Sequence, residues 1–250
     1  MLNGATFTMN GGEISNNKCT LSGASGGGVL IDNSGSFIMN AGKISGNTVP
    51  NGATYGGGVY VTGSSTFTME GGEITGNTAA NGGGVYVLSS ATFTMEGGKI
   101  SDNTGIGGGV YLYGNSVTFT MEGGEISRNT SNPYGGGVHV LNNATFTMKG
   151  GTICGNSTSP VYSRSGGGVY VGGKANFYMI SGTIYGNNDA DTALRNTATY
   201  LGAALFKYRD SFVWYGDGVG AWSELLLPSS NSSSDYGTNN TIKYLNGVAQ

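Results

Sequence analysis

Three features of this sequence predict an all-β solenoid, a chain wound into stacked coils around one axis. The first is repetition. The words Gly-Gly-Gly-Val-Tyr-Val and Thr-Phe-Thr-Met-Glu-Gly-Gly-Glu-Ile-Thr-Gly-Asn, clearest over residues 56–77, return with Val as marker at Val29, Val59, Val85, Val110, Val138 and Val169. With Phe as marker they return at Phe7, Phe37, Phe67, Phe93, Phe119, Phe146 and Phe177. The spacing, about 25 to 31 residues, belongs to repeat architectures. The second feature is period-two alternation inside each word, the mark of a strand. The third is where the length varies. The offsets from Phe67 to Ile74 and from Ile74 to Asn77 recur from Phe146 to Ile153 and from Ile153 to Asn156. Insertions collect between that Asn and the next Gly-Gly-Gly, which predicts a coil with three fixed sides and one variable corner.

The elements of one coil follow in order. In Val59-Tyr60-Val61 the two Val share one face of a strand and Tyr60 takes the other. In Thr66-Phe67-Thr68-Met69 the Phe and Met go together and the Thr pair opposes them. The Gly71-Gly72 pair supplies positive φ at a corner, and Ile74 forms a third, short strand. Val, Phe, Met and Ile are read as inward, Tyr, Thr and the charged residues as outward. Stacking coils at about 4.8 Å sets like residues over one another in Phe, Met and Ile columns. A further column, Asn17, Asn47, Asn77, Asn103, Asn129, Asn156 and Asn187, is expected to form an amide ladder. About seven coils are expected over residues 1–187, with a degenerate terminal coil and cap over 188–250. In that last coil Gly202-Ala203-Ala204-Leu205-Phe206 echoes the Val word and Phe212-Val213-Trp214 echoes the Phe word. Residues 229–240 read as a Ser/Asn-rich loop, and 241–245 as a final strand.

Composition agrees with this reading. Glycine accounts for 49 of 250 residues, well above the usual ~7%, yet the Phe, Ile and Val columns keep phase as a disordered Gly tract has no reason to do. The chain reaches Phe7 with no Val strand before it, no export signal and no apolar run long enough to span a bilayer, so an excised domain is expected. Cys19 and Cys154 fall several coils apart, more than roughly 20 Å at strand spacing, and no disulfide between them is expected. The residue before each Ile alternates in sign, Glu13, Lys43, Glu73, Lys99, Glu125, a charge ladder that sets register.

The outward faces carry the functional candidates. An aromatic stripe, Tyr60, Tyr86, Tyr111, Tyr113, His139 and Tyr170, suits sugar rings or a protein partner. A Thr-x-Thr array, Thr6 and Thr8, then Thr66, Thr68, Thr92, Thr94, Thr118, Thr120, Thr145 and Thr147, is interrupted by Ser36/Ile38 and Asn176/Tyr178 and is similar to the ice-binding faces of β-helical antifreeze proteins. Polysaccharide lyases and hydrolases need clustered acids or bases that break the repeat. Here those residues obey it, so no catalytic residue is expected. Stacked Glu70, Glu96 and Glu122 lie near Lys43 and Lys99, so no metal site is expected, nor any cofactor. A formal charge of −3 with no basic patch argues against nucleic acid as a partner. End-to-end or side-to-side self-association is expected from open strand edges.

Together the Gly-Gly-Gly-Val-Tyr-Val, Thr-Phe-Thr-Met-x-Gly-Gly and Ile-Ser-Gly-Asn words resemble those of right-handed parallel β-helix repeat proteins of bacterial cell surfaces, with a pectin-lyase-like architecture. They are similar, more distantly, to polymorphic outer-membrane protein repeats, although Ile44 and Ile74 stand where those have Phe. The resemblance covers roughly residues 4–187. It implies a right-handed, three-sided coil and an exported, cell-surface stalk or adhesin; a glycan or host cell-surface protein is the partner expected of the Tyr stripe.

Overall fold

The structure, a computed structural model, describes residues 4–20, 25–49, 55–159, 165–198, 202–207, 212–216, 222–224, 236–238, 242–245 and 248–249; from 216 onward, Ile242 excepted, it describes backbone alone. The described residues contain strands and turns and no helix.

The Val words form one row of parallel strands, from Val29–Ile31 and Val59–Val61 through Val85–Leu88, Val110–Tyr113, Val138–Leu141 and Val169–Val171 to Leu205–Lys207. Their register pairs Val29, Val59, Val85, Val110, Val138, Val169 and Leu205 in one column. The Phe words form a second parallel row that ends on Phe212–Gly216. The Ile words form the third, down to Gly182–Ile184. In the first two coils the Phe and Ile sides are single strands, Thr6–Ser15 and Ser36–Ser45, which join these two rows into one sheet. From the third coil on, the Gly-Gly pair breaks the strand; Gly72 has φ +85, and a Cβ there would lie 2.7 Å from the Met39 side chain.

Alternation places the core as expected. Phe37, Phe67, Phe93, Phe119, Phe146 and Phe177 are buried with the Val, Met and Ile columns in one continuous cluster. The stacked Phe rings stand 4.6–5.1 Å apart from Phe7 to Phe177, so each coil adds one strand spacing to the axis. The third Gly of each Val word makes this possible. A Cβ on Gly58 would sit 2.7 Å from the Gly84 carbonyl oxygen, 2.9 Å from Ile74 and 3.1 Å from the Asn77 amide.

Two expectations in the last coil need correction. The Asn column passes from Asn156 to Asn196, not to Asn187. Here the insertion precedes the ladder Asn, and Thr197 then rejoins the corner by bridging to Ser157. The final Phe-row strand is shifted by one residue from the echo read in sequence: Val213 pairs with Phe177, Phe212 with Asn176 and Trp214 with Tyr178. A one-residue slip exchanges the faces of a strand, so Val213 enters the core while Phe212 and Trp214 point outward.

Each row then closes on an antiparallel strand: Trp222–Glu224 beside the Phe row, Tyr236–Thr238 beside the Val row and Ile242–Leu245 beside the Ile row. The 229–240 loop lies outside the described residues apart from Tyr236–Thr238, which is a strand.

Candidate functional site

The variable corner opens with more order than its length variation suggests. Thr78–Asn81, Thr104–Ile106, Thr130–Ser131 and Ser157–Thr158 form a small parallel sheet directly after the ladder. At the ladder itself every hydrogen-bonding position of the amide is filled. The Asn77 Oδ1 accepts from the Asn47 backbone N–H and Nδ2, and the Asn77 Nδ2 donates to Asn103 Oδ1 and to the Ile44 carbonyl, at 2.9–3.0 Å. The Tyr185 carbonyl, 2.6 Å from Asn196 Nδ2, ends the series.

The aromatic stripe faces away from the core, as alternation requires, but it is not an exposed face. Tyr60, Tyr86, Tyr111, Tyr170 and His139 are all buried; Tyr113 alone of the stripe is exposed, at 37%. Residues from the variable corner fold back across the Val row, so that Tyr55 and Ile106, with Leu88 and Leu141, pack against Tyr60, Tyr86 and Tyr111. Tyr134 lies 5.5 Å from His139 and 5.1 Å from Tyr170 by ring centroids. The turn that brings the corner back requires a left-handed Gly: at Gly56, φ +63, a Cβ would lie 2.8 Å from the Tyr60 Cβ. The result is a second, aromatic core outside the coil. Alternation gives the direction of a side chain and not what covers it, which is why the stripe reads as a surface in sequence.

This environment acts on ionisable groups. Burial raises the Tyr60, Tyr86 and Tyr111 phenols above their ordinary range. His139 lies flat on Tyr111, 4.5 Å between centroids, with neither ring nitrogen bonded, and burial lowers it to about 3. It is a neutral aromatic in a Tyr column. Cys19 and Cys154 are free thiols, the latter pushed up to about 11, chiefly by burial.

Ion pairs join successive coils. Lys43 approaches Glu73 at 3.9 Å and Lys99 meets Glu125 at 2.8 Å, while Glu13 accepts from the Ser45 hydroxyl at 2.7 Å. Lys149 bonds Glu122 at 2.8 Å, and Arg128 grips Asp102 with two hydrogen bonds of 2.8 and 2.9 Å. Burial is the largest single influence on Asp102 and opposes its ionisation, but the Arg128 and Ser101 hydrogen bonds together with the Arg128 and Lys99 charges outweigh it and hold the carboxyl below its ordinary range. The Asp102–Arg128 pair does not stand out in the sequence, because both occupy a corner position held by Gly46, Gly76 and Gly155 in other coils. No group of three or more His, Cys, Asp or Glu that could hold a metal occurs among the described residues.

The Thr array is the open side. Thr66, Thr92, Thr118 and Thr145 pair in one row, Thr68, Thr94, Thr120 and Thr147 in the next. All are exposed or half-buried, and hydroxyls bond along the axis, Thr66 to Ser36 at 3.1 Å and Thr118 to Thr92 at 3.2 Å. Tyr113 borders a shallow cleft of about 470 Å³ at the neighbouring corner with Asn115, Asn142, Asn143 and Lys174.

Parallel strands stacked in three rows around a shared core define a parallel β-solenoid. Residues 3–162 match the family model described as the right handed beta helix region, and the chain belongs to this family. No curated protein and no solved structure matches it.

Proposed function

We propose that the chain is a non-catalytic, extracellular structural or adhesin-type segment, which meets glycan or a cell-surface protein through its open Thr side. The observation that carries this reading is the distribution of polar chemistry. Among the described residues four acid–base pairs join successive coils, His139 is enclosed, and from Thr66 to Thr147 one side offers two rows of neutral hydroxyls held in register. Rigid, pre-positioned polar groups lower the ordering cost of binding. The extracellular location rests on the likeness of the repeat words to those of cell-surface β-helix proteins. The test is a glycan-array and cell-binding screen of the purified protein, run beside an assay for reducing ends released from a polysaccharide panel. Binding without release is expected. Release of products that tracks the protein through purification contradicts the reading.

Ice binding is a second reading, favoured by the matched Thr rows. It predicts thermal hysteresis and shaped ice crystals at high protein concentration, lost in Thr94→Lys and Thr120→Lys. Absence of both effects in the unmodified protein removes it.

A further inference from the structure

The open side does not stay uniform along the axis. Continuing the two Thr rows by strand register, Thr145 is followed by Asn176 and then Phe212, and Thr147 by Tyr178 and then Trp214. The shift that sends Val213 into the core turns two aromatic side chains out onto the same face. Phe212 is 42% exposed and Tyr178 and Trp214 are half-buried. The three rings share nearly one orientation. Phe212 and Trp214 are 6.1 Å apart by centroids and inclined by 17°, Tyr178 and Trp214 6.5 Å apart and inclined by 14°. No charged residue occupies either row from Thr66 and Thr68 to Phe212 and Trp214; the neighbouring column runs Glu70, Glu96, Glu122, Lys149 and Ile180, with Lys149 paired to Glu122.

We propose that Tyr178, Phe212 and Trp214 form a binding platform for a neutral oligosaccharide, whose chain extends from the aromatic end along the Thr rows. A sugar ring is amphipathic: its C–H face packs on an aromatic ring while its hydroxyls need partners at the edge. Asn176, Thr145 and Thr147 present an amide and two hydroxyls one and two coils from the rings. Sheet strands hold these groups, so little conformational freedom is lost when a ligand docks. These rows carry no cation to pair with a carboxylate or sulfate, and the strand beyond sets Glu224 opposite Trp214, which favours a neutral glycan over an acidic one. The platform rests on the adhesin reading above and gives it a site and a ligand class.

The test uses the full chain on an array of neutral and acidic glycans, with the best neutral oligosaccharide then titrated by calorimetry. Binding to a neutral glycan is expected, weakened at least tenfold by Trp214→Ala and by Tyr178→Ala. Phe212→Ser, at an exposed position, is expected to weaken binding several-fold at unchanged melting temperature, which keeps the test valid if Trp214→Ala loosens the last coil. Glycan binding that is indifferent to all three variants overturns the platform and leaves the adhesin reading standing. Binding to acidic glycans only, or to none, also overturns it. In that case cell binding by the same preparation judges the adhesin reading separately: adhesion that survives deglycosylation of the cells points to a protein partner.

Discussion

An asparagine in the middle of the ladder illustrates how one residue type holds a corner. Without the Asn103 side chain, the Asn77 amide, the Asn77 backbone N–H and the Ile74 carbonyl each lose a buried partner. At about 1–3 kcal/mol for each unsatisfied group, Asn103→Ala should destabilise the protein by at least about 3 kcal/mol, measured by chemical denaturation. His139 tests the opposite case, a buried polar group with no partner. In the unfolded chain its ring titrates near 6.5, in the folded protein at about 3, so between these values the unfolded state binds the extra proton. Stability is therefore full above about pH 6.5 and falls as the pH drops toward 3. Comparison with His139→Phe, which leaves every carboxylate in place, isolates the histidine's share of that loss. His139→Phe should raise stability by about 1 kcal/mol at pH 7 and flatten the melting temperature over that range. An unchanged slope would show that the ring is not enclosed. At this scale the sequence was legible for the inward columns, because Phe67, Met69 and Ile74 obey simple alternation. It placed His139 in the outward stripe but could not show that the ring is enclosed, because the corner residue Tyr134 reaches it only in space.

Strands are where register and covering decide the surface. The Val row has hydrophobic side chains on both faces, so sequence places Tyr86 correctly as outward yet cannot show that Tyr55 closes over it, 5.0 Å away by ring centroids. Tyr86→Ser should accordingly cost about 3 kcal/mol of stability, in the range for truncating a buried aromatic. A change confined to binding, at unaltered stability, would restore the exposed stripe. The last Phe-row strand makes the same point through register. Phe212-Val213-Trp214 resembles the Phe word when aligned on Phe212, but the core position at that level takes Val213. Val213→Asp should then destabilise the terminal coil by several kcal/mol through an unpaired buried charge, whereas Phe212→Asp should change stability by less than about 0.5 kcal/mol. Reversal of this order, read by thermal melting, would return the strand to the register seen in sequence.

The whole molecule is a stack in which each coil is stabilised by its neighbours rather than by itself. Three antiparallel strands follow the parallel coils at the C-terminal end, one for each row. The axis, the three sides and the variable corner were legible from the spacing of Val, Phe and Asn. A terminal cap with a strand at 241–245 was legible too, and Ile242–Leu245 is a strand; its antiparallel direction was not, because reversal leaves no repeated word in the sequence. The central claim is that residues at like positions stand one strand spacing apart per coil along a single axis. After replacement of Cys19 by Ser and Cys154 by Ala, spin labels on Thr8 paired with Thr120 or with Tyr178 measure this directly. These positions lie four and six coils apart by register, so pulsed dipolar spectroscopy should give backbone separations of about 19 and 29 Å. Equal distances for the two pairs, or a Thr8–Tyr178 distance shorter than Thr8–Thr120, would contradict the stack.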